Sequence, residues 1–309
     1  MATQQLLGLA LLFPLALAPT LAQTKNAAER LGFPADAKLL IIHADDLAVS
    51  HSQDSASFAA LERHAATAAS IMVPCPWLTE VAEFAKAHPR ADLGLHLTLT
   101  SEWHSYRWGP VASRDQVPGL LGPDGNLWPD VPFVTEHASA AEVEKEIRAQ
   151  VELAMKLGIH PTHLDSHMGT LFDPAYFPMY VKVAREYGLP FLAARAPGAP
   201  ASMLALLKDS DILPDAIAIA GPGIKPENWA PYYLGVIRGL KPGLTELIVH
   251  LAYDDAEMQA ITAGHPDYGS AWRQRDFDVI TGAEFQKALK DNHVTLVGWK
   301  AIHELAKPN

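Results

Sequence analysis

The stretch Leu39-Leu40-Ile41-Ile42-His43-Ala44-Asp45-Asp46-Leu47 decides the architecture. Four consecutive aliphatic residues read as a strand buried on both faces, and they run into two adjacent carboxylates where the strand should end. Two carboxylates in contact at the mouth of a buried strand repel each other and lose hydration. Such a pair is usually kept where a cation or a proton transfer needs it. The competing reading is a polar turn capping a helix that starts near Ser50.

Downstream, short apolar runs alternate with amphipathic segments. Strands are expected at 69–73, 94–99, 162–167, 190–194, 216–220, 246–251 and 294–297, and helices at 52–64, 78–88, 141–157, 175–187, 201–208, 227–238 and 282–291. In the 141–157 segment Val143, Ile147, Val151 and Ala154 fall at helical spacing, and Gly158 is a natural C-terminal cap. This α/β rhythm predicts one domain over residues 23–309, an irregular TIM-barrel-like (β/α) barrel of seven or eight strands. A doubly wound open sheet is the alternative.

Upstream, residues 6–17 are almost wholly apolar, and Pro19-Thr20-Leu21-Ala22 before Gln23 reads as a small-residue cleavage site. The run is too short to span a membrane. Residues 1–22 are therefore expected to be a signal peptide and the protein to be secreted or periplasmic, although no Lys or Arg precedes the apolar run. A net charge of -11 leaves no basic face for nucleic acid or an anionic membrane. The single cysteine, Cys75, cannot form an internal disulfide and reads as a small buried hydrophobe.

Residues 101–139 break the rhythm. This segment is too long for an ordinary connection and is rich in Pro, Gly and aromatics, among them Trp103, Tyr106, Trp108, Trp128 and Phe133. An insertion after a barrel strand lies on the C-terminal face, where its rings could meet the apolar faces of a sugar. Equally, they could form a small core of their own or, if exposed, a homodimer contact.

Three further strand ends carry ionisable groups. Alternation puts Gly94, His96 and Thr98 on one face of their strand, and His163, Asp165 and His167 on one face of the next. Glu246, Ile248 and His250 share a face in the same way. A lone histidine is more often a hydrogen-bonded core residue than a ligand. Here Asp45, Asp46, His96, His167 and His250 all fall near the C-terminal ends of strands, the end at which barrel enzymes do chemistry. Two imidazoles and a carboxylate with open positions form a catalytic site for a divalent cation. A second carboxylate could take a proton from water, and a histidine opposite could serve the leaving group.

The ordered set of motifs resembles the YdjC/ChbG family of carbohydrate deacetylases, relatives of the polysaccharide deacetylases. The motifs are Ala44-Asp45-Asp46, Gly94-Leu95-His96-Leu97-Thr98-Leu99, a helix containing Gln150, Pro161-Thr162-His163-Leu164-Asp165-Ser166-His167, Arg195 and Glu246-Leu247-Ile248-Val249-His250. The resemblance implies an irregular, often incomplete barrel that removes acetyl groups from N-acetylated sugars with one divalent metal ion. It implies Asp46, His96 and His167 as ligands, Asp45 as general base and His250 as general acid or oxyanion stabiliser. Zn²⁺ or Mg²⁺ is expected foremost, with Mn²⁺, Fe²⁺, Co²⁺ and Ni²⁺ also compatible. His43, His163 and Asp165 are expected to orient these groups, Arg195 to hold Asp45 ionised, and Trp103 and Trp108 to brace the site or bind sugar.

The sequence departs from the family pattern at His43, where members usually have Asn, at Leu47-Ala48, in place of Phe-Gly, at Gly169, in place of His, and at His250-Leu251-Ala252, in place of His-Pro-Gly. These departures leave substrate identity open. A hydrolase or phosphodiesterase acting on a non-acetylated substrate, or a catalytically silent glycan-binding protein, stands as the alternative.

Overall fold

A computed structural model describes residues 25–195 and 198–306; the expected signal peptide lies outside the described residues. Seven strands form one parallel sheet: β1 (Lys38–Leu47), β2 (Ala68–Ile71), β3 (Leu93–Leu97), β4 (Leu164–Ser166), β5 (Ala216–Ile219), β6 (Gly243–His250) and β7 (Val294–Leu296). The path runs β4-β3-β2-β1-β6-β5. β1 is central. One edge pairs with β6 from Lys38↔Gly243 to Asp45↔His250, while the other is shared, β7 taking residues 38–40 and β2 taking His43 onwards.

The expected closed barrel is not formed. The 190–194 segment contributes one bridge, Leu164↔Phe191, instead of a strand. Among the described residues nothing pairs β5 with that segment, and Ile217 and Ile219 of β5 remain 40 % exposed. The result is a single α/β domain built on a curled, open half-barrel.

The two faces of β1 explain its sequence. Leu40, Ile42 and Ala44 point outward into the main core beneath the surrounding helices. Leu39 and Ile41 point inward and join Ala68, Leu192, Leu244, Trp299 and Ile302 in a second cluster that plugs the N-terminal end of the half-barrel. Full burial of such aliphatic side chains stabilises by about 1.5–3 kcal/mol each, so the strand has no polar position until His43.

The helix His51–Glu62 is capped by Ser50, whose hydroxyl accepts from the Gln53 amide at 3.1 Å. Asp45 and Asp46 are thereby free of any capping duty. The helix Ala140–Lys156 buries Val143, Ile147, Val151 and Ala154 as expected, with Gly158 at φ 83° after its end. Two polar residues share that stripe. Gln150 pairs with both the amide and the carbonyl of Thr98 beyond β3, and Glu146 accepts from the Val111 and Ala112 amides. Together they tie the 101–139 segment to the sheet.

That segment packs on itself. Trp103 and Trp108 are 2 % and 3 % exposed, with Tyr106 against both and the Trp108 indole donating to the Thr100 carbonyl. Neither tryptophan offers an open sugar platform or a dimer contact. No helix among the described residues is long and apolar enough to cross a membrane.

Candidate metal centre

Strict alternation would send Asp45 and Asp46 to opposite faces of β1. The register with β2 shifts between Ala44 and Leu47, and Asp46 adopts φ 72° in the left-handed region, which Asp enters more readily than most residues. This bulge turns both acids into the half-barrel. Asp46 Oδ1 lies 3.3 Å and Asp45 Oδ2 3.8 Å from His96 Nε2.

His167 completes the group, its Nδ1 3.4 Å from Asp46 Oδ1. Asp46, His96 and His167 are all buried and present one donor atom each within ligand reach of the others. The far atom of every one is already held. His96 Nδ1 is 2.7 Å from Asp165 Oδ1, His167 Nε2 is 3.0 Å from Glu102 Oε2, and Asp46 Oδ2 accepts from Arg273 Nη2 at 2.7 Å. Asp46 Oδ1 is buried without a hydrogen-bond partner. An orphaned carboxylate oxygen facing two imidazole nitrogens, with outer partners fixing each ring, fits a divalent cation.

Electrostatics agree with this geometry. Burial would raise the Asp46 carboxyl, but the Arg273 guanidinium and the facing imidazoles of His167 and His96 outweigh it and hold it well below the usual range. Burial would lower His167, yet the charges of Glu102 and Asp46 push it up to about 9. Burial likewise opposes protonation of His96, but the charges of Asp165 and Asp45 prevail and raise it. A cation would take over the role of those protons.

Asp45 sits beside the triad with its two oxygens divided. Oδ1 is 2.8 Å from His43 Nδ1, an ion-pair contact whose N–H is out of line, while Oδ2 is 4.0 Å from His250 Nε2. Burial, reinforced by Arg273 and His96, outweighs the two aspartates and depresses His250 to about 4, leaving its imidazole neutral. Below them Glu246, pushed up to about 7 by burial, accepts from the Trp299 indole at 3.0 Å. Two other trios, His43/His163/Asp165 and Asp45/His96/Asp165, also bring donor atoms together. Both use Asp165, whose Oδ1 is engaged by His96, and in the first the two Nε2 atoms stand at hydrogen-bond distance, 2.8 Å.

The structure thus gathers Asp45, Asp46, His96, His167 and His250 at one end of the sheet, with His43 and Asp165 in contact with them and His163 below, against His43. Arg195 is not among them: it is exposed and donates to the Lys208 carbonyl at 2.8 Å. The guanidinium at the site is that of Arg273, and the acid it serves is Asp46. Arg273 also donates to Gln53 Oε1 at 2.8 Å and to the Tyr268 carbonyl at 2.6 Å, and lies 5.5 Å over the Trp103 ring. Trp108 meets His167 edge to face at 6.5 Å, so both tryptophans brace the site from behind. Sequence reasoning missed Arg273, Gln53, Glu102 and Trp299. No motif marks them. It did put Gly94 on the same face of its strand as His96, and in the structure a Cβ at Gly94 would fall 2.4 Å from the His163 ring, which requires glycine there.

Fold and site together define an open α/β half-barrel with a candidate cation site at the C-terminal ends of its strands. The chain belongs to the YdjC-like family, whose model, described as YdjC-like protein, matches residues 39–291. A carbohydrate deacetylase of Thermus thermophilus is 31 % identical over 289 residues, covering 89 % of this chain and 97 % of that one. A carbohydrate deacetylase of Thermoanaerobacter pseudethanolicus is 24 % identical, covering 86 % and 99 %. Among solved structures, a putative cellobiose-phosphate cleavage protein of Enterococcus faecalis shares the fold with a TM-score of 0.73 at 24 % identity, covering 86 % of this chain and 99 % of that one.

Proposed function

We propose that this protein is a metal-dependent carbohydrate deacetylase, removing acetyl groups from N-acetylated sugars or oligosaccharides. The observation that carries the reading is Asp46 Oδ1, orphaned between His96 Nε2 and His167 Nδ1 with a second carboxylate, Asp45, alongside. The similarity to proteins named carbohydrate deacetylase supports it. Asp46, His96 and His167 would hold the cation. When bound, a divalent cation lowers the pKa of water and polarises a carbonyl.

Asp45 Oδ2 faces the triad and takes a proton from the attacking water. His250 stands across from that oxygen with a neutral ring, suited to donate a hydrogen bond to the negative oxygen that develops on the acetyl carbon. As the C–N bond breaks, the proton collected by Asp45 returns to the departing nitrogen. Residues 1–22 make a secreted or periplasmic location, and hence an envelope or extracellular glycan, part of this proposal. The silent glycan-binding alternative loses two of the insertion's rings, Trp103 and Trp108, which are buried, and it gives no role to the carboxylate of Asp45 beside the triad.

The test is acetate release by zinc-loaded protein from N- and O-acetylated sugars and from chitin and peptidoglycan fragments, with Asp45→Asn in parallel. The expected result is release by wild type and its loss in the variant at unchanged metal content. No release from any substrate with metal bound, or an equally active variant, overturns the reading.

A further inference from the structure

Beneath the candidate centre, five polar groups run in contact along the inside of the half-barrel from Asp45 to the opposite face. His43 Nδ1 meets Asp45 Oδ1 at 2.8 Å, and His43 Nε2 meets His163 Nε2 at 2.8 Å. His163 Nδ1 lies 2.9 Å from Thr162 Oγ1, and the Thr162 hydroxyl donates to Asp92 Oδ1. Asp92 also accepts from the Lys300 amide at 2.7 Å and lines a cavity of about 760 Å³ at the far end, together with Thr67, Arg90 and Gly298. His43 and His163 are wholly buried, out of reach of bulk solvent.

The direction of these bonds can be deduced. Thr162 has one hydroxyl hydrogen, and its two possible acceptors, Asp92 Oδ1 and the Leu93 carbonyl at 3.2 Å, are oxygens that offer no proton in return. Toward His163 the hydroxyl can only accept, so His163 Nδ1 carries a hydrogen. Burial and the charge of His43 keep His163 neutral, which leaves its Nε2 with a lone pair. His43 Nε2 must therefore be the donor between the rings. The His43 ring is thus fixed with Nδ1 toward Asp45.

We propose that Thr162 and His163, anchored on Asp92, are positioning residues: Thr162 locks the tautomer of His163, whose Nε2 holds the His43 ring and thereby the orientation of Asp45. Locked this way, Asp45 keeps Oδ1 on His43 and presents Oδ2 to the triad and to His250. The inference rests on the reading of Asp45 as the base, but the hydrogen positions can be measured without any substrate. The rival use of the same rings is a second cation at His43, His163 and Asp165.

The experiment is ¹⁵N NMR of histidine-labelled, zinc-loaded full chain, with kcat and KM for acetate release, on wild type, Thr162→Val, Thr162→Ser and Asp92→Asn. In wild type, His163 should carry its proton on Nδ1 and His43 should carry one on Nε2. Thr162→Val should lose the His163 preference and about tenfold in kcat at unchanged KM, and Thr162→Ser should restore both. Asp92→Asn, which can turn a donor toward Thr162, should mimic Val and serves if the Val variant fails to fold. Protonation of His163 on Nε2 in wild type overturns the lock, as does a second bound metal equivalent. Unchanged kcat in both disrupted variants, or a lowered kcat with the tautomer intact, also overturns it. A wild type that releases no acetate defeats the deacetylase reading instead, and the tautomers then decide the lock alone.

Discussion

Arg273 carries the charge balance of the candidate centre. Its guanidinium is almost fully buried, and without it Asp46 would be an uncompensated anion in the half-barrel. Arg273→Ala should destabilise the metal-free protein by about 3–5 kcal/mol, read by urea unfolding, and Zn²⁺ should recover part of the loss by supplying the missing positive charge. A loss that ignores added metal would place the effect in packing against Trp103. His167 gives a pH signature. Pushed up to about 9, it is protonated at neutral pH, so a cation bound through Nδ1 must displace a proton. Metal affinity should therefore climb as pH rises toward about 9, and calorimetry in buffers of different ionisation enthalpy should show proton release at pH 7. The ligand candidates were legible because they sit at strand ends with period-two spacing. Arg273 was not, since it lies 227 positions from its partner with no pattern joining them.

At the scale of elements, legibility followed the contrast between stripe and surface. The helix Ala140–Lys156 shows a clean apolar stripe and a capping box at Ser139 and Glu142, and its limits could be read to within a residue. The helix Ser270–Thr281 was not anticipated. Its buried side holds Arg273 and Asp276 among Trp272, Phe277 and Ile280, so the charges that serve the site erase the periodicity that would reveal the helix. Asp276 accepts from the Trp229 indole at 2.7 Å, the Tyr233 hydroxyl at 2.6 Å and the His250 amide at 3.0 Å, which seats the end of β6. Burial nevertheless pushes its carboxyl up to about 6. The folded state thus holds this proton more tightly than the unfolded chain does. Stability relative to Asp276→Asn should be greatest below about 4, fall as pH rises through about 6 and stay flat above that. Denaturation series across that range measure it, and a difference that grows with pH would contradict the assignment. The bulge at Asp46 was equally hidden, because the amino-acid string records neighbours and not the register slip that turns two neighbours the same way.

For the whole molecule, the α/β rhythm and seven of the expected strands were legible, whereas closure was not. Whether the 190–194 segment meets β5 depends on sheet curvature accumulated over every strand between them, which no single run encodes. An open half-barrel needs its end sealed by other means. Trp299 does so, fully buried, stacked on His163 at 5.0 Å and donating to Glu246. Trp299→Ala should cost about 3–5 kcal/mol in chemical denaturation, more than the same change at the partly exposed Trp77. The shared edge of β1 also bears on the order of assembly. The first half of that strand waits for Val294–Leu296, more than 250 residues later, before its edge is covered. Contacts of such sequence separation form late and slow a chain's folding. As the polypeptide emerges from the ribosome, the centre of the sheet therefore stays unfinished until Val294–Leu296 has been made.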